Sequence, residues 1–279
     1  MDLGSVGAEF EAEYSRLVVA GMASRRPVAC VGLARNCAEA LERNLQQVGT
    51  FCDHLHIETN DNTDGTTGVL VDFCDDNPWA SYHETFNGRP QLTSEFAGPR
   101  TRALAEYRTA CQEWVQQHTP DAQYVIVADF DAQGGFDVAG VFHGLAWLDA
   151  HPTAWGLASV SLMQCNLQSV TPAGVVEQLG ISWVHYDAWA LRLNHYGDDY
   201  STGSGGWKHQ WIPPCGSPPI PVRSAFGGLT IYRTPQYLSG RYDGADCEHV
   251  TFHRSIAEHY GDGLYLNPSQ RSIMHLMGD

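Results

Sequence analysis

The sequence predicts an α/β protein, a mostly parallel, Rossmann-like sheet flanked by helices and folded as a single domain. Three observations lead there. From Pro27 to Asp75 the chain alternates strand, helix, strand, helix, the opening of a parallel sheet. Tyr124-Val125-Ile126-Val127-Ala128 is uncharged and largely β-branched, as strands buried on both faces are. The 279 residues are 43% hydrophobic and 11% aromatic, enough for one sizeable core and too apolar for a disordered chain.

Residues 1–26 read as an N-terminal helical extension leading to Arg25-Arg26, and 27–279 as the domain proper. Pro27 to Ala34 is a short apolar strand after a proline. Arg35-Asn36-Cys37 turns, and Ala38 to Val48 places Ala40, Leu41, Leu45 and Val48 on one side of a helix. Leu55 to Glu58 is a second strand. Thr59 to Thr66 is dense in turn and cap residues, and a helix over Thr67 to Asp75 follows. Arg100 to Gln117 has a helical apolar stripe of Leu104, Tyr107, Cys111, Trp114 and Val115. The strand Tyr124–Ala128 ends in Asp129-Phe130-Asp131. Further on we expect a helix over Val138 to Ala150, and strands over Leu157 to Met163 and Ala188 to Leu193. A long Gly-, Ser- and Pro-rich loop over 196–221 comes next. Leu229 to Tyr232 is a strand, and Asp246 opens a helix running to about Glu258.

The charge is −16, from 32 acids against 16 Lys plus Arg, and such a surface repels nucleic acid. No apolar run reaches the ~18 residues of a membrane span. The acidic start lacks the basic and apolar regions of a secretory signal. The eight cysteines are scattered without a CxxC pair. They read as reduced thiols in a cytoplasmic protein, with no spacing that suggests zinc.

Chemistry concentrates at Asp129 and Asp131. Strand alternation points both the same way, with Phe130 facing the core, and open α/β sheets bind ligands at the carboxyl ends of their strands. Two neighbouring carboxylates repel unless one is protonated or a cation lies between them. Mg2+ or Mn2+, held by hard oxygen ligands, meets that need and would neutralise a diphosphate. A solvated turn after a strand is the plainer reading.

The order of motifs resembles the GT-A fold glycosyltransferases over nearly all of 27–268, most closely bacterial and viral proteins similar to fungal capsule-associated mannosyltransferases. Val31 to Asn36 looks like the nucleotide-binding first strand, and Asn62-Thr63-Asp64-Gly65-Thr66 like the Ser-Thr-Asp-Gly-Thr stretch after the second. Arg102 to Arg108 resembles the helix before the metal motif, and Tyr124 to Asp131 the strand with its Asp-x-Asp. Phe226-Gly227-Gly228 ahead of Asp246-Cys247-Glu248 resembles the Gly-Gly segment and acidic pair of inverting members, although Cys247 replaces the first acid.

The resemblance implies a metal-dependent transfer of a sugar from a nucleotide-diphosphate donor to the hydroxyl of a glycan or small-molecule acceptor, with inversion. A UDP-sugar is the favoured donor and GDP-mannose remains open. Asp131 would bind the metal, and Asp129 the metal or the ribose. Glu248 would be the base, with Asp246 the alternative and a helix N-terminal carboxylate the plainer role. A histidine completes the metal shell in many such enzymes; His253 is favoured here, then His249, with His275 also a candidate. Arg35, Asn36, Asn60, Arg102, Arg108, Gly227 and Gly228 are candidate donor contacts. Asp187, beside Tyr186 and Trp189, suits a sugar. Trp207, Lys208, His209 and Trp211 suit a closing lid. Two other functions stay open: a nucleotidyltransferase, and a non-catalytic module that binds sugar nucleotides or glycans.

Overall fold

The computed structural model describes residues 3–88, 98–170, 174, 176–193 and 206–277. Helix α1 (Leu3–Ala23) leads into β1 (Val28–Ala34), α2 (Ala38–Val48), β2 (His54–Asn60), α3 (Thr66–Asp76) and β3 (Ala80–Thr85). Then come α4 (Pro99–His118), β4 (Tyr124–Asp129), β5 (Gly135–Phe136), α5 (Val138–Ala150), β6 (Gly156–Val170) and β7 (Val176–His185). A 3-10 turn at Gly206–Gln210 precedes β8 (Ile220–Val222), β9 (Leu229–Arg233), α6 (Thr234–Ser239), α7 (Glu248–Tyr260) and β10 (Leu264–His275).

One mixed sheet runs β3-β2-β1-β4-β9-β6-β10-β5, with β7 on β6 and β8 on β10. Pairing is parallel from β3 to β4. Strand β9 lies antiparallel between β4 and β6, and β10 is parallel to β6. The α/β sheet flanked by helices that the sequence leads one to expect is present, and it is mixed rather than mostly parallel: among the described residues four of its pairings are parallel and five antiparallel. Alternation along β4 divides the core. Tyr124, Ile126 and Ala128 join Leu17 of α1, Leu41 and Leu45 of α2, Leu70 of α3 and Leu148 of α5. Val125 and Val127 join Cys111 and Val115 of α4, Tyr237 of α6 and Phe252 and Ile256 of α7. Each fully buried Leu contributes about 2 kcal/mol. Helix α1 rests on α5: Gly21 packs so closely that a Cβ there would lie 2.1 Å from the Phe142 carbonyl oxygen. No helix among the described residues is long and apolar enough to cross a membrane.

The expected strand over Ala188–Leu193 is absent. The Asp187 carboxylate accepts from the Ala190 and Gly227 amides, which turns the chain and leaves a single bridge, Arg192 to Ser224. The expected irregular loop holds the 3-10 turn and β8 at its far end, and 194–205 lies outside the described residues. Strands β3, β5, β7, β8 and β10 and helix α6 are additions to the elements expected. Helix α7 begins at Glu248, with Cys247 before its first turn.

Candidate active site

Strand register assembles the site. Leu33 on β1 is level with Glu58 on β2 and Asp129 on β4, so Arg35, Asn36, Asn60 and Asp129 to Asp131 emerge at one edge. Because β9 runs the other way, its start joins that edge: Ala128 pairs with Leu229, and the Asp129 amide donates to the Gly228 carbonyl at 2.9 Å.

At the end of β4, Phe130 is buried while Asp129 and Asp131 reach solvent. The Phe130 amide donates to the Leu33 carbonyl at 3.0 Å. Asp129 pairs with Arg108, whose side chain is only 2% exposed. Burial works against the Arg108 charge, but Asp129, Tyr242 and Glu248 outweigh it and raise its pKa. Its Nε and Nη1 are buried without a hydrogen-bond partner, and its guanidinium lies 4.9 Å from the Phe226 ring centre. The Asp131 carboxyl rises to about 6, through protein crowding that strips solvation and then through the charge of Asp129. The rim is therefore over-supplied with anionic oxygen.

Gly227 and Gly228 connect this pair to the next carboxylate. Both have positive φ, 66° and 77°. The Gly227 amide donates to Asp187 Oδ2 at 2.9 Å, and the Asp187 amide donates to Ser161 Oγ at 2.9 Å. Burial, and behind it the charge of Glu248, lift Asp187 to about 7 despite the Gly227 amide. Glu248 is 5% exposed, and burial raises its carboxyl against the pull of Arg108. Asp246 is more open, with Arg192 Nη2 at 3.6 Å.

Three histidines were candidates for the metal. The structure removes His253 from the site. It is fully buried, its Nδ1 is 2.9 Å from Ser224 Oγ and its Nε2 2.7 Å from Tyr232 OH, so both ring nitrogens are engaged in the core. Burial lowers its pKa to about 3. His249 stacks on Phe226 at 3.7 Å. Its ring nitrogens are buried without hydrogen bonds, Nε2 lying 3.6 Å from Glu248 Oε1. His275, the least favoured from sequence, comes to the rim. The Gln133 and Gly134 amides donate to the Met274 and Ile273 carbonyls, and the His275 ring lies 4.9 Å from that of Tyr186. The Tyr186 hydroxyl is raised to about 12 by burial, then by the charges of Asp131 and Asp187. Among the described residues, no group of three or more His, Cys, Asp or Glu is arranged to hold a metal on its own.

The first nucleotide-like turn is built with the second. Asn36 has φ 49°; its amide donates to Asn62 Oδ1 at 3.0 Å and its Oδ1 accepts from the Thr63 amide at 2.7 Å. Asp64 and Thr66 accept from the Ala38 and Cys37 amides at the start of α2. Asn60 is buried and donates to Asp61 Oδ2 at 2.9 Å. Arg102 is exposed on α4. Lys208 departs from a lid: it is fully buried, with Nζ 2.5 Å from the Leu191 carbonyl. His209 Nδ1 bonds the His185 carbonyl. The Trp207 side chain lies outside the described residues.

Two residues passed over in the sequence act on this site. Arg100, in the first turn of α4, lowers the pKa of both Asp131 and Glu248; the visible signal is its place two residues before Arg102. Arg192 partners Asp246 across 54 residues of sequence, and nothing local marks it.

No protein-family model and no curated protein sequence matches the chain. Among solved structures, a mannosyltransferase from Pyrobaculum calidifontis in complex with GDP-Man and Mn2+ is similar, with TM-score 0.49 and 12% identity. The match covers 96% of this chain, which spans 66% of that enzyme's length. Glucosyl-3-phosphoglycerate synthase from Mycobacterium tuberculosis is similar with TM-score 0.49 and 10% identity, over 95% of this chain and 76% of that one. Mannosyl-3-phosphoglycerate synthase from Rubrobacter xylanophilus is similar with TM-score 0.45 and 10% identity, over 94% and 71%.

Proposed function

We propose that this chain is a metal-dependent GT-A-type glycosyltransferase acting on a nucleotide-diphosphate sugar. The observation that carries this reading is a convergence at the carboxyl edge of the sheet: Asp129 pairs with Arg108, Asp131 and Glu248 feel the Arg108 charge, and Asp187 feels those of Glu248 and Asp129. Perturbed carboxyls gathered at such an edge mark a functional site.

The donor set suits Mn2+ or Mg2+. Asp131 and Asp129 offer only oxygen, Asp131 is raised by desolvation and then by its neighbour's charge, and such ions accept one or two carboxylates when phosphate and water complete the shell. Asp131, with Asp129, would hold the ion, and His275, whose ring lies against that of Tyr186, is the histidine proposed to join it. Bound there, the ion supplies Lewis-acid charge to a departing diphosphate.

The protein's own residues supply the rest. Arg108 holds Asp129 in place. Asp187, fixed by the Gly227 and Ala190 amides, presents a carboxyl to sugar hydroxyls. Glu248 takes the proton of the acceptor hydroxyl, and its raised pKa makes it a stronger base than an exposed carboxylate. The acceptor oxygen then bonds to the anomeric carbon. The bond from that carbon to the diphosphate oxygen breaks, and its electron pair leaves with the nucleoside diphosphate, inverting the centre. A cytoplasmic setting fits the eight free cysteines.

The test is release of nucleoside diphosphate from UDP-sugars and GDP-mannose, with Mn2+, Mg2+ or EDTA. Asp131→Ala and Glu248→Gln are expected to lose at least about 100-fold in kcat, and Asp246→Asn much less. Unchanged turnover in EDTA or in Asp131→Ala overturns the metal assignment. Pyrophosphate as product makes the protein a nucleotidyltransferase. Calorimetric binding without turnover makes it a binding module.

A further inference from the structure

We propose that Asn44, on α2, is the positioning residue for the metal-binding carboxylate Asp131, an inference that rests on the metal-dependent reading above. Asn44 is completely buried. Its Nδ2 donates to the Phe130 carbonyl at 2.8 Å and to the Ala132 carbonyl at 3.0 Å. One amide group thus grips the backbone on both sides of Asp131, from a rigid helix 86 and 88 residues away in sequence.

The other half of the side chain shows what this residue is for. Asn44 Oδ1 is buried with no hydrogen-bond partner. A buried acceptor left unsatisfied is unfavourable, and a leucine of similar volume would avoid it. Asn at this position therefore serves through its two N–H donors alone, and both go to the Asp131 loop.

The rest of α2 works in the same direction. Arg43 Nη1 donates to the Gln133 carbonyl. Gln47 Oε1 accepts from the Phe136 amide at 2.8 Å. The opposite wall is β10, whose Ile273 and Met274 carbonyls accept from Gly134 and Gln133. Of these side-chain contacts from α2, the two made by Asn44 fall on either side of residue 131. The start of α2 is held by Asp64 and Thr66 from the second nucleotide-like loop. Helix α2 therefore joins the loop expected at the nucleotide to the loop expected at the metal. Groups that orient a metal ligand typically govern affinity by 10- to 100-fold.

The experiment is Mn2+ titration by electron paramagnetic resonance on the full chain, wild type against Asn44→Leu and Asn44→Asp. Folding is checked by thermal unfolding, and nucleoside-diphosphate binding is measured calorimetrically in EDTA. Asn44→Leu keeps the volume and removes both donors; Asn44→Asp sets an acceptor against two carbonyls. Both are expected to weaken Mn2+ binding by about 10-fold or more, while nucleotide binding in EDTA stays within about twofold. Asn44→Ser, scored the same way, serves if neither folds. A folded variant with wild-type Mn2+ affinity overturns the positioning role and leaves the metal reading standing. A wild type that binds no Mn2+ overturns both. Equal loss of Mn2+ affinity and of metal-free nucleotide binding reduces Asn44 to general structural support and overturns the proposal.

Discussion

Arg108→Met is the perturbation that tests the electrostatics of the site most directly. The guanidinium is 2% exposed and pairs with Asp129, whose side chain is 30% exposed; Glu248 also feels its charge. Methionine keeps the stem and its packing near Phe226 while removing the cation. Removing one partner of a buried ion pair costs about 3–5 kcal/mol. Asp129 recovers part of its hydration through its exposed fraction, which brings the expected loss to about 2–3 kcal/mol. Urea unfolding in EDTA at neutral pH measures this, and the double variant Arg108→Met/Asp129→Asn closes a thermodynamic cycle. The double variant is expected to recover at least about 1 kcal/mol of the summed single losses, because the pair acts as a unit. A single-variant loss below about 0.5 kcal/mol, or strict additivity, refutes the view that Arg108 compensates the carboxylates.

Two more outcomes follow from the geometry. Gly227→Ala would set a Cβ 1.9 Å from the Ser159 carbonyl oxygen at φ 66°. The left-handed backbone alone costs about 1–2 kcal/mol, so with the collision Tm is expected to fall by about 5 °C or more; a change within about 1 °C contradicts the φ and packing assigned there. Asp187 titrates near 7 in the fold against 3.8 as its ordinary value. The folded state therefore binds more protons between those limits, and this group's contribution is fully present below about pH 4 and lost as pH rises through about 7. Thermal unfolding against pH should show a shallower decline in Asp187→Asn than in wild type, the remainder coming from the raised carboxyls of Asp131 and Glu248; identical profiles reject the assignment.

Legibility differed by segment for physical reasons. Helices α2 and α5 match their expected bounds because their signals are local, the apolar spacing of α2 and, in α5, the Asp137 cap that accepts from the Gly140 amide. Strand β10 escaped notice because its interior is polar yet buried: Asn267, Ser269, Gln270 and Ser272 each bond a distant partner, as where Gln270 Nε2 reaches Ser159 Oγ at 2.9 Å. A register shift between Asn267 and Arg271 breaks its alternation further. Most of β7 is exposed, so no period marks it. His249 and His253 share a helix face and look alike in sequence. Only packing distinguishes them, by giving His253 both Ser224 and Tyr232.

Taken alone, the chain determined the strand–helix alternation, the run of β4 into two carboxylates on either side of a buried Phe130, the glycine pair and the acidic start of α7. These rest on interactions within a few residues: backbone alternation, caps and hydrophobic period. Tertiary structure decided that β9 runs antiparallel and so carries Gly228 to Asp129, and that Arg108 is buried against that carboxylate. It decided too that Asn44 spans residue 131 and that His275 reaches the rim. Those facts depend on which distant segments share a desolvated space. A linear pattern does not encode that, because side-chain chemistry takes its role from the partners and water that the fold leaves around it.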